Sequence, residues 1–227
     1  MPYLETISIV LLSIFGAVCL LHLFFCFFEL EFLRKISKPV CLILLFFFVL
    51  SVKSDVFLVL LGIAFGALGD VFLIWKKRKR CLISGVFSFM LGHFFYGAQL
   101  LLLFKFPENY YYAAIIGACF VLITILIFAL YPKTKYLAHK SAYAGNAYFA
   151  TLLIMLIMSI VYAIVHFNNG VSLMIVFGYA LFIISDSILT LTTFVKDVKR
   201  RDFYIMITYL PAELLISLGL LLLMIGL

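Results

Sequence analysis

The chain has 227 residues, 67% of them hydrophobic and 12% charged, with a mean hydropathy of +1.27. A soluble domain is about half apolar and about a quarter charged, so there is too little polar surface here to cover a water-soluble ball. The composition excludes a soluble enzyme, a secreted disulfide scaffold and a disordered regulator, and leaves the net charge of +7 to be explained by something other than solubility.

A polytopic membrane protein must satisfy its backbone within helices or a closed barrel. Barrel strands would alternate apolar and polar over about ten residues. Residues 11–28 and 56–75 are instead unbroken apolar runs, close to the roughly 20 residues of a spanning helix. In chain order the spans are predicted at 4–28, 39–52, 56–75, 81–104, 110–131, 142–166, 171–195 and 203–226. The fold class is therefore all-α, a bundle of eight transmembrane helices forming one integral membrane domain over residues 1–227. The second span is short. The first carries no Lys or Arg ahead of it and no small-residue cleavage site behind it, so it reads as a retained helix and not a signal peptide.

The basic residues orient the bundle. Arg34, Lys35 and Lys38 lie between spans one and two, and Lys76 to Arg80 between three and four. Lys133, Lys135 and Lys140 lie between five and six, and Lys196, Lys199, Arg200 and Arg201 between seven and eight. Only Lys53 and Lys105 fall on the other side. By the positive-inside rule those four loops face the cytoplasm and both termini lie outside it. The charge is thus topological. A run such as Lys76 to Arg80 orients spans and touches anionic head groups. Nothing else resembles a nucleic-acid module, so no nucleic-acid partner is expected. The five cysteines sit in or at the edges of spans without a paired His. They read as small buried residues, and neither a metal site nor a cofactor is expected.

Three acidic residues lie inside spans: Asp70, Asp186 and Glu213. An Asp there costs at least ~2.5–3.5 kcal/mol on insertion scales and is a functional candidate by default. A helix-packing hydrogen bond is the plain alternative for any one of them. Three at similar depth are harder to explain that way. At about 1.5 Å per residue they lie about 9, 15 and 16 Å inside the cytoplasmic edge. His93 belongs with them, on a span whose Gly85, Ser88, Gly92, Tyr96 and Gln99 form one small, polar face. Gly62, Gly66, Gly69 and Asp70 share a face of span three. Asp186, Thr190 and Thr193 share a face of span seven, flanked by Ser185 and Ser187. Tyr209, Glu213 and Ser217 step by four along span eight, where Pro211 should kink the helix. Asp70 precedes His93 by 23 residues and Asp186 precedes Tyr209 by 23, which suggests two parallel four-helix halves.

The motifs around these residues resemble the YhhN-like lysoplasmalogenases. They are Lys38-Pro39, then Leu68-Gly69-Asp70-Val71, then Gly85, Phe89, Gly92, His93 and Tyr96 along span four. Gly178, Ala180, Phe182, Ser185, Asp186 and Ser187 follow on span seven. Span eight has Tyr209-Leu210-Pro211-Ala212-Glu213, where the family pattern reads Gln in place of Glu213. The resemblance implies hydrolysis of the vinyl ether of a lysoplasmalogen to a fatty aldehyde and a glycerophosphocholine or glycerophosphoethanolamine. It implies a lysophospholipid substrate and a place in a cellular membrane.

That chemistry suits the residues on independent grounds. A vinyl ether breaks down by protonation on carbon, giving an oxocarbenium-like cation that water then captures. Glycosidases meet the same demand with two carboxyl groups. In low dielectric a carboxyl tends to hold its proton, while a hydrogen-bonded neighbour stays ionised. Asp70 and Asp186 are the expected acid and cation stabiliser, in either order, with His93 as the third catalytic residue. His93 and Tyr96 would orient water or a carboxylate. Lys38 is expected to hold the lipid phosphate. Gln99, Ser185, Tyr209 and Glu213 complete the expected substrate site. The rival readings are a proton-coupled carrier that uses the same carboxylates as a relay, and a lipid-binding scaffold. Ser185-Asp186-Ser187 has no His beside it, which weakens a serine-hydrolase reading.

Overall fold

A computed structural model describes residues 2–75, 78–104, 142–166 and 169–226, with seven further positions between 114 and 129. Seven long helices are described, and no strand occurs among the described residues. They are α1 (Pro2–Phe27), α2 (Glu31–Val52), α3 (Phe57–Ile74), α4 (Lys79–Leu103), α5 (Ala142–Val165), α6 (Val171–Phe194) and α7 (Arg201–Ile225). All seven are long and apolar enough to cross a membrane. They match the predicted spans one to four and six to eight. The span predicted at 110–131 lies mostly outside the described residues, as do Lys76, Lys77, Lys133, Lys135 and Lys140.

One boundary differs in a way that matters. Span two was expected to begin at Pro39, yet α2 begins at Glu31 and carries Pro39 within it. Arg34, Lys35 and Lys38 are therefore helical rather than in a loop, spaced so that they reach one side of α2. Proline lacks one backbone donor but is tolerated in spanning helices whose freed groups find partners. In the same way α7 continues through Pro211 to Ile225.

Packing divides the bundle into a centre and a periphery. α7 is the most enclosed helix and α1 the least; α7 touches α1, α2, α3, α4 and α6. Two helix pairs, α3 with α4 and α6 with α7, form the tightest seams. Small residues permit both. A Cβ on Gly92 would lie 2.9 Å from the Gly62 carbonyl oxygen, and one on Gly178 would lie 3.1 Å from the Ile216 nitrogen. Each seam is also pinned by a serine. The Ser88 hydroxyl donates to the Phe65 carbonyl at 2.7 Å, and the Ser185 hydroxyl donates to the Ile205 carbonyl at 3.2 Å.

α4 and α5 run parallel. Phe89 meets Tyr148, Gly97 faces Met155, and Phe104 packs edge-on against Tyr162. At the end of the bundle rich in basic residues, two turns are clasped together. Glu29 and Arg200 both adopt left-handed backbone, with φ of 56° and 58°. The Arg200 amide donates to Glu29 Oε1 at 3.1 Å, its guanidinium lies 3.8 Å from the Phe27 ring centre, and Arg34 pairs with Asp202 at 2.5 Å. Basic side chains thus bind the α1–α2 turn to the α6–α7 turn at the mouth of the interior.

Candidate active site

The three intramembrane carboxyl groups all point inward, and each accepts a hydrogen bond from a different tyrosine. Asp70, fully buried on α3, accepts from the Tyr209 hydroxyl of α7 at 3.1 Å. Glu213 on α7 accepts from Tyr96 of α4 at 2.8 Å. Asp186 on α6 accepts a short hydrogen bond from Tyr148 of α5. A buried carboxyl without a partner would be costly, and these phenols meet that demand. Asp70 has a second partner: the Lys38 ammonium of α2 lies 3.0 Å from Oδ1 and sits 5.8 Å from the centre of the Tyr209 ring.

The glycine face of α3 makes room for these side chains. A Cβ on Gly62 would fall 2.2 Å from the Tyr96 ring, and one on Gly69 would fall 2.7 Å from Phe89. On Gly66 it would meet Glu213 Oε1 at 3.1 Å. The stripe that reads as a packing seam in sequence is therefore also the floor under Tyr96 and Glu213.

Aromatic rings join the carboxyl pairs into one interior. Phe89 lies 6.1 Å from Tyr209 and 6.5 Å from Tyr148, between the phenols that serve Asp70 and Asp186. Phe182 stacks edge-on to Tyr209 at 5.4 Å and to His93 at 4.4 Å. His93 itself is 1% exposed and ringed by Tyr96, Tyr148 and Tyr179 at 5.7–6.2 Å. Both of its ring nitrogens are buried and meet no hydrogen-bonding group among the described residues. Such a group in a native interior calls for an explanation, and a reacting or water-binding role is one.

Of the expected site residues, Lys38, Asp70, His93, Tyr96, Asp186, Tyr209 and Glu213 come together here. Two do not join them. Ser185 spends its hydroxyl on the Ile205 carbonyl in the α6–α7 seam. Gln99 is buried farther along α4 and bonds none of the three carboxyl groups. The expected Asp186, Thr190, Thr193 face also breaks up, because both threonines are exposed. The buried stripe of α6 continues to Thr192, which bonds its own helix at Ile188. Tyr148 was not foreseen. A tyrosine close to a span end reads as part of the interfacial aromatic belt, and only the fold turns it toward Asp186. Among the described residues no three His, Cys, Asp or Glu side chains are grouped to hold a metal ion. Cys19, Cys26, Cys41 and Cys81 are free thiols, and Cys119 lies outside the described residues.

No curated protein and no solved structure matches the chain. A family model does, over residues 33–220, from the first turn of α2 to the last third of α7 and so across every carboxyl group of the interior. The chain is a member of the YhhN family.

Proposed function

We propose that this protein hydrolyses the vinyl ether bond of lysoplasmalogens within the membrane, releasing a fatty aldehyde and a glycerophosphodiester. The observation that carries the reading is the pairing of two intramembrane aspartates from separate helices around one aromatic cluster, each held by a phenol. Membership of the YhhN family supports it.

The two aspartates differ in a way that suggests roles. Asp186 has a phenol as its hydrogen-bond partner and, among the described residues, no ion pair. It delivers a proton to the vinyl carbon distal to the ether oxygen, which leaves an oxocarbenium ion. Asp70 carries Lys38 and Tyr209 and is the fixed negative group beside that cation. Preorganised charge of this kind is a large term in enzyme catalysis. Water adds at the oxocarbenium carbon and loses a proton to the Asp186 carboxylate. The hemiacetal then collapses to aldehyde and alcohol. His93, buried and hydrogen-bond competent, orients that water. Tyr96 and Glu213 hold the wall behind it.

Purified protein in detergent should release aldehyde from a lysoplasmalogen. Asp70→Asn and Asp186→Asn should each remain folded and lose about 100-fold or more of turnover, as expected for groups acting in acid–base and electrostatic catalysis. Near-normal rates in either variant would overturn the paired-carboxyl mechanism. A proton-coupled carrier is the second reading, favoured by the same carboxyl–phenol contacts. It predicts solute flux in proteoliposomes with the lipid chemically intact.

We further propose eight spans, both termini outside the cytoplasm and a parallel repeat of four helices. The parallel register of α4 and α5 supports an additional crossing between them. The recurrence of an aspartate held from the preceding helix, Asp70 by Lys38 and Asp186 by Tyr148, supports the repeat.

A further inference from the structure

A cavity of about 80 Å³ opens at the basic end of the bundle, walled by α1, α2, α3, α6 and α7. Its lining is two-faced. Arg34, Lys35 and Lys38 project into it from α2, while Leu73, Ile205 and Met206 supply an apolar wall. Lys38 lines it and is the same ammonium that contacts Asp70. Arg34 stands one turn above Lys38 and holds Asp202 through Nη1. Residues spaced by four on a helix lie about 6 Å apart, which a single phosphate group can bridge. The cavity's volume is several times the roughly 10–15 Å³ one water needs, so the cavity has room for a phosphate group. A chain attached to that phosphate would have to leave along the apolar wall.

We infer that this cavity binds the phosphodiester head group of a single-chain phospholipid between Arg34 and Lys38, and that the bound phosphate draws Lys38 partly away from Asp70. Arg34 has five donors in a planar fork and can hold a phosphate oxygen beside Asp202. Lys38 has three donors, of which Asp70 takes one. The phosphate thereby leaves more of the Asp70 charge to face the vinyl ether. The phosphate site is read from the cavity itself; the choice of a single-chain phospholipid and the coupling to Asp70 rest on the hydrolase reading.

The test uses full-length protein in detergent with two unreactive probes, a 1-O-alkyl lysophosphoethanolamine and the matching 1-O-alkylglycerol that lacks phosphate. The phospholipid should bind about tenfold more tightly, the worth of one charge-assisted hydrogen bond. Arg34→Gln should abolish that margin and leave alkylglycerol binding unchanged. Arg34→Lys should keep part of it. Asp202→Asn, which removes the carboxylate competing for Arg34, should widen it. A merely structural Arg34–Asp202 pair predicts instead that R34Q and D202N move both lipids in the same direction, and that result would sink the proposal. So would equal affinity of the two probes for the wild type. If millimolar inorganic phosphate displaces the phospholipid completely, the site serves free phosphate and the lipid assignment fails. Melting temperature and gel filtration check that each variant is folded. In turnover assays a 1-alkenylglycerol should show a lower kcat than the lysoplasmalogen, and inorganic phosphate should not restore it; equal kcat values would refute the coupling. Absence of all vinyl ether cleavage would refute the hydrolase reading while the binding results still decide the head-group site.

Discussion

Asp70 and Asp186 occupy comparable places in the two tightest helix pairs, yet their surroundings differ. Asp70 has a cation and a phenol, contributed by α2 and α7. Asp186 has a phenol from α5. The first is fully enclosed and the second is 8% exposed. Two carboxyl groups in one aromatic interior are thereby made unequal, and unequal carboxyl groups are what a reaction needs when one must give up a proton and the other must stay negative.

The largest test of this contrast removes the cation. Lys38→Met leaves Asp70 buried beside one phenol, and breaking a buried ion pair costs about 3–5 kcal/mol. Because the Lys38 side chain is 20% exposed, the lower end of that range is expected. Adding Asp70→Asn should recover most of the loss, measured as denaturation midpoints across the double-mutant cycle. If K38M alone is as stable as wild type, Lys38 is a solvated charge and the asymmetry is not real. A second test concerns the seam that carries Asp70. Gly92→Ala forces a methyl to within 2.9 Å of a backbone oxygen, and overpacking of this kind costs about 1–3 kcal/mol. Gly16→Ala on α1 meets nothing within 4 Å and should be neutral or stabilising by up to about 1 kcal/mol. The same melting experiment checks both. The smallest effect separates the phenols. Tyr148→Phe takes the phenolic hydrogen bond from Asp186, which becomes charged as it gives up its proton, and should lower kcat about tenfold. Tyr209→Phe leaves Lys38 on Asp70 and should cost only a few-fold. A larger loss in Y209F than in Y148F would reverse the assignment of roles.

Much of this was legible in the residues. Uninterrupted apolar runs locate each described helix to within a few residues, except at Pro39, which reads as a helix start but lies within α2. A proline after three basic residues reads as a boundary, whereas α2 runs through it and those half-buried residues line a cleft that only tertiary contact creates. Asp70, Glu213 and His93 announce themselves because ionisable groups are rare within spans. Tyr148 does not, since nothing along α5 distinguishes a belt tyrosine from one that bonds Asp186. Ser185 misleads for the opposite reason. It flanks the aspartate in sequence, but about 100° around a helix separates neighbours, and its hydroxyl faces the α7 backbone.

The family match begins at residue 33, beyond the end of α1. Yet α1 contributes His22 and Cys26 to the lining of the cleft above Lys38. Part of the cleft's lining thus lies outside the matched residues, while Asp70, Asp186 and Glu213 all lie within them. His22 and Cys26 bond each other and Ser37, not the carboxyl groups, so the wall they form can be altered without touching the contacts of Asp70, Asp186 and Glu213.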